Sequence, residues 1–282
     1  GNIMPYFVTS DNCKLYYENK GNGDPIIFVH GWTASRLSFL LQTQYLSKNH
    51  EVITYDLRGH GASDRGAVTE SNMTIDRLAI DLRELIEYLG FEKVNVCGWS
   101  MGASTIFNYV QLYGNDRLKS IGIIDMTPKL VTDDEWTLGL YGKFNSKDNN
   151  EFIISLAKSF SETMADFVPL TFAKWKRNDP EIFPELFKMT MDRVSGNTPH
   201  CMLPLWISMS SKDYRQILSK IEVPTFLAYS GDGQLYSPAH GEYMKEHIKN
   251  SVLNIFPRCG HGLIVDNPEK FNRDYDAFLR TL

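Results

Sequence analysis

The stretch VNVCGWSMGAS, residues 94–104, places Ser100 between Gly98 and Gly102, directly after an apolar run and before small and apolar residues. A strand, a G-x-S-x-G turn and a helix in that order form a sharp corner that presents a serine hydroxyl for attack on an acyl carbon. The glycines follow from the chemistry. A serine on such a corner takes up an unfavourable backbone conformation, and side chains at the flanking positions would clash. The amide of Met101 would then open the helix, where unpaired donors and the helix dipole favour an oxyanion. A second donor is expected from the loop in FVHGWT (28–33), where the Trp32 N–H is well placed by sequence. Each such donor is worth on the order of 10²–10³ in rate. The serine also needs a neutral imidazole as general base. Of the seven histidines, His261 in RCGHG is the one that follows a strand and loop of the required kind. His30 is expected to organise its loop through hydrogen bonds. His50, His200, His240 and His247 read as surface or cap residues.

These residues need rigid elements to hold them. YFVTS and KLYYENK flank Asp11-Asn12 and predict an opening hairpin. PIIFVH (25–30), EVITYD (51–56), KVNVCG (93–98), LKSIGIID (118–125), VPTFLAYS (223–230) and SVLNIFP (251–257) are continuous apolar runs, as expected of strands buried on both faces. Thr74 to Leu89 carries an apolar stripe at helical spacing, with Thr74 as N-cap and Gly90 as terminator. A second helix is predicted from Asn267, with Pro268 in its first turn and Phe271, Tyr275 and Phe278 inward. Strands alternating with helices predict a mostly parallel α/β sheet. Residues 130 to about 216 break the rhythm. They hold no convincing strand and many aromatics, and predict a helical insertion between the sixth and seventh core strands. Most of those aromatics should fill the insertion's own core. The methionines Met164, Met189, Met191, Met202 and Met209 and the remaining aromatics hint at an apolar acyl or aromatic ligand.

Composition narrows the function classes. The chain has 282 residues, 43% hydrophobic and 22% charged, with a net charge of −5. No Lys/Arg stripe suggests nucleic acid as a partner. No window approaches the roughly 18 apolar residues of a membrane span. The first residues lack the pattern of a secretory signal, and Gly1-Asn2-Ile3 ahead of Met4 reads as an expression remnant, with prior removal of a native leader left open. Cys13, Cys97, Cys201 and Cys259 are scattered without CxxC spacing, so reduced thiols in a cytoplasmic protein are expected, with no metal site.

HGW (30–32), YDLRGHGASD (55–64), GWSMGAS (98–104) and CGHGLIVDNPEKF (259–271) together resemble the α/β-hydrolase family. The similarity extends to its small esterases, non-haem haloperoxidase relatives and C–C bond hydrolases. The resemblance covers residues 25–129 and 221–280. It implies an eight-stranded, mostly parallel sheet flanked by helices, with a helical cap after strand six. The core would comprise residues 1–129 and 217–282, and the cap residues 130–216. His60 matches a motif that is structural in relatives, and His261 falls in the loop where relatives place their base.

The acid is where this chain departs from the family pattern. Relatives usually carry it after strand seven as G-x-x-D-x-x-x-P, whereas GDGQLYSP (231–238) puts Gly233 or Gln234 at that place. Asp125, at the tip of strand six where some relatives supply the acid, is the favoured candidate, and Asp232 is the alternative. The reading is a cofactor-free serine hydrolase acting on an ester, thioester or lactone of a small, apolar acyl compound. C–C bond hydrolysis, perhydrolase chemistry and a non-catalytic small-molecule receptor are the alternatives. RCGHG is similar to the histidine loop of the C–C hydrolases, but Gly262 stands where they carry a bulky aromatic. The partner expected is the small-molecule substrate, and a homodimer is compatible with the sequence.

Overall fold

The computed structural model describes residues 5–65 and 72–282; the reading of Gly1-Asn2-Ile3 falls outside them. The apolar runs become strands. After the antiparallel hairpin β1 (Tyr6–Val8) and β2 (Lys14–Lys20) come β3 (Asp24–Val29), β4 (His50–Tyr55), β5 (Val94–Trp99) and β6 (Leu118–Ile124). β7 (Thr225–Ser230) and β8 (Ser251–Phe256) complete one eight-stranded sheet in the order β1-β2-β4-β3-β5-β6-β7-β8. β2 pairs antiparallel with β4, and every pairing from β4 through β8 is parallel. The tips of β3, β5, β6 and β7 therefore end on one side, where loops can converge.

The helices are α1 (Leu40–Leu46), α2 (Ile75–Tyr88), α3 (Met101–Tyr113), α4 (Ser146–Lys158), α5 (Phe160–Phe167), α6 (Lys174–Arg177), α7 (Phe183–Val194), α8 (Pro199–Ser210), α9 (Pro238–His247), α10 (Leu263–Asp266) and α11 (Pro268–Leu279). The predicted cap forms at Thr74, whose Oγ1 accepts from Arg77 N at 3.1 Å; Asn267, where the second helix is predicted to begin, is its N-cap, with Oδ1 accepting from Lys270 N at 3.2 Å. Successive strand residues point to opposite faces, which divides the core in two. Ile27, Val29, Ile53 and Tyr55 face the layer that includes α2 and α3. Ile26, Phe28 and Val52 face Phe271, Tyr275 and Phe278 of α11. The three α11 residues are inward, as their spacing predicts.

Between β6 and β7 the regular elements are all helices. The chain leaves and rejoins the sheet at neighbouring points, since Lys129 and Asp213 form an isolated bridge and Tyr214 N donates to Pro128 O at 2.8 Å. Phe144, Phe152, Phe167 and Trp206 pack edge to face or tilted on one another and, except Phe144, on Trp32. None of the described helices is long and apolar enough to cross a membrane.

Candidate active site

Ser100 follows the tip of β5 as the N-cap of α3, with φ 58° and ψ −120°. A non-glycine residue at this conformation costs on the order of 1–3 kcal/mol, which surrounding packing must hold in place. Close approach explains both glycines of the motif. A Cβ at Gly98 would overlap the Gly102 carbonyl, and a Cβ at Gly102 would overlap Val29 O on the neighbouring strand. The corner is fixed by Ser100 N donating to Ile124 O at 3.1 Å and by Ala103 N donating to Ser100 O at 2.8 Å.

The loop after β3 is fastened from several directions. His60 Nε2 accepts from Thr33 N at 3.2 Å, Asn197 donates to Thr33 O at 2.8 Å, and the Trp32 indole donates to Met202 O at 2.9 Å. His30 Nε2 accepts from Leu57 N at 3.0 Å while its Nδ1 donates to Gly31 O at 2.8 Å. His60 Nδ1 donates likewise to Arg58 O at 3.0 Å. Both rings are fully buried and use each nitrogen once, as a neutral imidazole does. They are structural, as expected of His30 from the sequence and of His60 from the family motif. His200 and His247 are exposed. His50 and His240 are instead buried, because the start of β4 and the first turn of α9 are covered by neighbouring chain; His240 lies 3.1 Å from Gly139 O.

Burial lowers the pKa of His30 to about 4 and, with the neighbouring His30 ring adding to it, that of His60 to about 3. The unfolded chain takes up these two protons below pH 6.5, while the native state refuses them until pH 3–4. The stability they contribute is therefore present above pH 6.5 and lost as pH falls toward the folded values. Each ring contributes a slope of up to about 1.4 kcal/mol per pH unit. The urea midpoint should drop between pH 7 and pH 5, and His60→Gln should flatten that drop. A pH-independent midpoint, or an unchanged slope in the variant, contradicts this account.

His261 follows β8, with its backbone held by Trp99 Nε1 donating to His261 O at 2.9 Å. Its Nδ1 is 2.7 Å from Asp125 Oδ2. Asp125 is fully buried at the end of β6, with φ 49°, and its N donates to Ala228 O at 2.9 Å. Asp125 Oδ1 accepts from Ser230 N at 2.9 Å and from Ser230 Oγ at 2.8 Å. The other carboxylate candidate points elsewhere. Asp232 Oδ2 accepts from Trp175 N at 3.0 Å at the start of α6. Gln234 donates to Pro169 O and Phe172 O, both at 2.8 Å, and so ties β7's loop to the helical segment. A Cβ at Gly233 would overlap Ser230 Oγ and Tyr236 O, so the loop has no room for an acid there.

Ser100 and His261 border one cavity of about 360 Å³. Its walls are mainly apolar and include Trp99, Met126, Phe167, Phe172, Trp206 and Leu235. Of the five methionines noted in the helical segment, Met164 and Met209 reach the cavity, Met202 lies in the core, Met191 packs partly buried against that core, and Met189 faces solvent. Spacing alone did not reveal Ser230 or Trp99 as supports. A serine closing the strand next to the one that carries Asp125 was the available signal.

A strained serine corner at one strand tip, a histidine after the last strand and a buried aspartate between them define an α/β hydrolase. A family profile described as the alpha/beta hydrolase fold matches residues 24–268, and the chain belongs to that family. It is 27% identical to a bifunctional esterase/perhydrolase of Acinetobacter calcoaceticus, covering 99% of this chain and 100% of that protein. It is 25% identical to a non-heme haloperoxidase of Rhodococcus erythropolis over the same shares. Among solved structures, a bromoperoxidase from Bacillus anthracis superposes with a TM-score of 0.87 at 25% identity, covering 98% of this chain and 99% of that one.

Proposed function

We propose that the protein is a serine hydrolase that cleaves an ester, thioester or lactone of a small, largely apolar acyl compound through an acyl-enzyme on Ser100. In this reading His261 takes the Ser100 proton, returns it to the leaving group, and then activates water for deacylation. Asp125 holds the imidazole with its proton on Nδ1, leaving Nε2 free to act as base. The amides of Trp32 and Met101 receive the oxyanion; Met101 opens α3, so no preceding helical turn claims its N–H. Residues 130–216 act as a cap that shapes the acyl pocket and limits water. The observation that carries the reading is the buried 2.7 Å contact between His261 Nδ1 and Asp125 Oδ2, on a histidine that shares its cavity with Ser100. The esterase and perhydrolase activities in the name of the Acinetobacter relative support it.

A fluorophosphonate probe should label Ser100, and 4-nitrophenyl esters of short acids should be turned over. Ser100→Ala should abolish both, with loss of activity by a factor of about 10⁶. A wild-type protein that neither labels nor turns over these esters is a receptor on a hydrolase scaffold, and the proposal fails.

A further inference from the structure

Besides His261, three charged side chains border the apolar cavity: Lys176, Arg193 and Asp266. Two of them neutralise each other. Lys176 Nζ donates to Asp266 Oδ1 at 2.8 Å, and Asp266 Oδ2 accepts from Gly260 N at 2.8 Å. Arg193, in the last turn of α7, has no such arrangement. Its guanidinium makes no hydrogen bond, ion pair or ring contact with any described residue. Other arginines of the same region are engaged: Arg177 donates to Gln234, Arg215 pairs with Asp213, and Arg258 stacks over Trp175. A cation in the last turn of a helix is favoured by the helix dipole. That accounts for the charge at this end of α7, but not for its place on the wall of the cavity. Arg193 is exposed, so water hydrates the guanidinium in the free protein, while the packing around the cavity still lowers its pKa. With Lys176 and Asp266 cancelling, the described walls carry a net positive charge at Arg193.

Resting on the serine-hydrolase reading above, we propose that Arg193 is a specificity residue that receives a carboxylate carried by the acyl substrate. The substrate class is then a half-ester or lactone of a dicarboxylic acid. A planar guanidinium matches a carboxylate through two parallel N–H···O bonds, which a neutral ester end cannot replace. Apolar side chains that line the same cavity, such as Phe167, Leu186 and Val194, suit a methylene spacer.

The test compares monomethyl glutarate, adipate and suberate with their neutral dimethyl esters, following hydrolysis by pH-stat. Wild-type protein should favour at least one half-ester over its neutral counterpart. Arg193→Met should lower kcat/KM on that half-ester by about 10- to 100-fold, mainly through KM, and change kcat/KM on the dimethyl ester far less. Arg193→Lys should restore part of the loss. Equal losses on both ester types, or no loss on the half-esters, overturn the proposal. Calorimetry on Ser100→Ala protein separates this outcome from failure of the hydrolase reading. Monomethyl adipate should bind about 10-fold or more weakly when Arg193→Met is added, even if the wild-type protein hydrolyses nothing. Unchanged binding there also overturns it.

Discussion

Asp125→Asn should lower kcat on a 4-nitrophenyl ester by about 10⁴, the scale seen when the triad carboxylate of a serine protease becomes an amide. The direction follows from the hydrogen bonds around the carboxylate. Ser230 N and Ser230 Oγ both donate to Oδ1, and His261 Nδ1 lies against Oδ2. The Ser230 amide is fixed in the backbone and can only donate, so the asparagine must turn its carbonyl oxygen toward it. The new NH₂ group then faces His261 Nδ1 and forces that nitrogen to accept. The ring proton moves to Nε2, where it blocks uptake of the serine proton. Asp232→Asn should remain near wild type, because an amide oxygen still accepts from Trp175 N. Circular dichroism and thermal melts should show both variants folded. Loss of activity in Asp232→Asn with retention in Asp125→Asn would transfer the role to Asp232.

Arg58→Met should cost about 3–5 kcal/mol of stability, because it strands a buried charge rather than removing a pair. Arg58 is fully buried. Its Nε and Nη2 donate to Asp81 at 2.7 and 2.9 Å, and its Nη1 and Nη2 donate to Asp11 at 2.8 Å each. Asp81 is also fully buried, and among the described residues Arg77 alone, at 3.1 Å, remains to offset it. For a chain of this size the melting temperature should fall by on the order of 10 °C. Replacing Asp81 with leucine in the same protein should recover part of the loss, since the uncompensated charge is then gone. A fall below about 1 kcal/mol in the single variant would show that water reaches the site. The network ties the β1–β2 turn to α2 and to the loop that holds His60, so its loss should also loosen the loop that carries Trp32.

The parts of the fold that were legible in the sequence are those with a local cause. The six apolar runs became β3 to β8; for β3 to β7 the cause is that strands covered on both faces need side chains of one kind throughout, whereas β8 lies at the sheet edge with Val252 exposed. Thr74 was readable as a cap because a short polar side chain there satisfies an amide within three residues, and the start at Asn267 was readable because Pro268 suits a first helical turn. Ser100 was readable because the need for small residues at 98 and 102 comes from its own corner and the strand beside it. The surface reading of His50 and His240 failed for the converse reason: their burial is set by distant segments, with Gly139 covering His240.

By itself the sequence determined the serine corner, the histidine loop, the parallel sheet and the helical stretch between β6 and β7, since each is written in neighbouring residues. It left two aspartates open as partners of His261. Only the tertiary structure decided which of them His261 meets. β6 and β7 lie side by side, and that pairing sets Asp125 against Ser230, while the tight turn at Gly233 leaves no space for a side chain. The cavity was likewise absent from any spacing rule. Its walls come from the loop after β3, the strand tips, and helices more than a hundred residues apart, and its charge comes from which of Lys176, Arg193 and Asp266 find one another. Contacts between segments far apart in the chain depend on packing of the whole, and no local pattern encodes them.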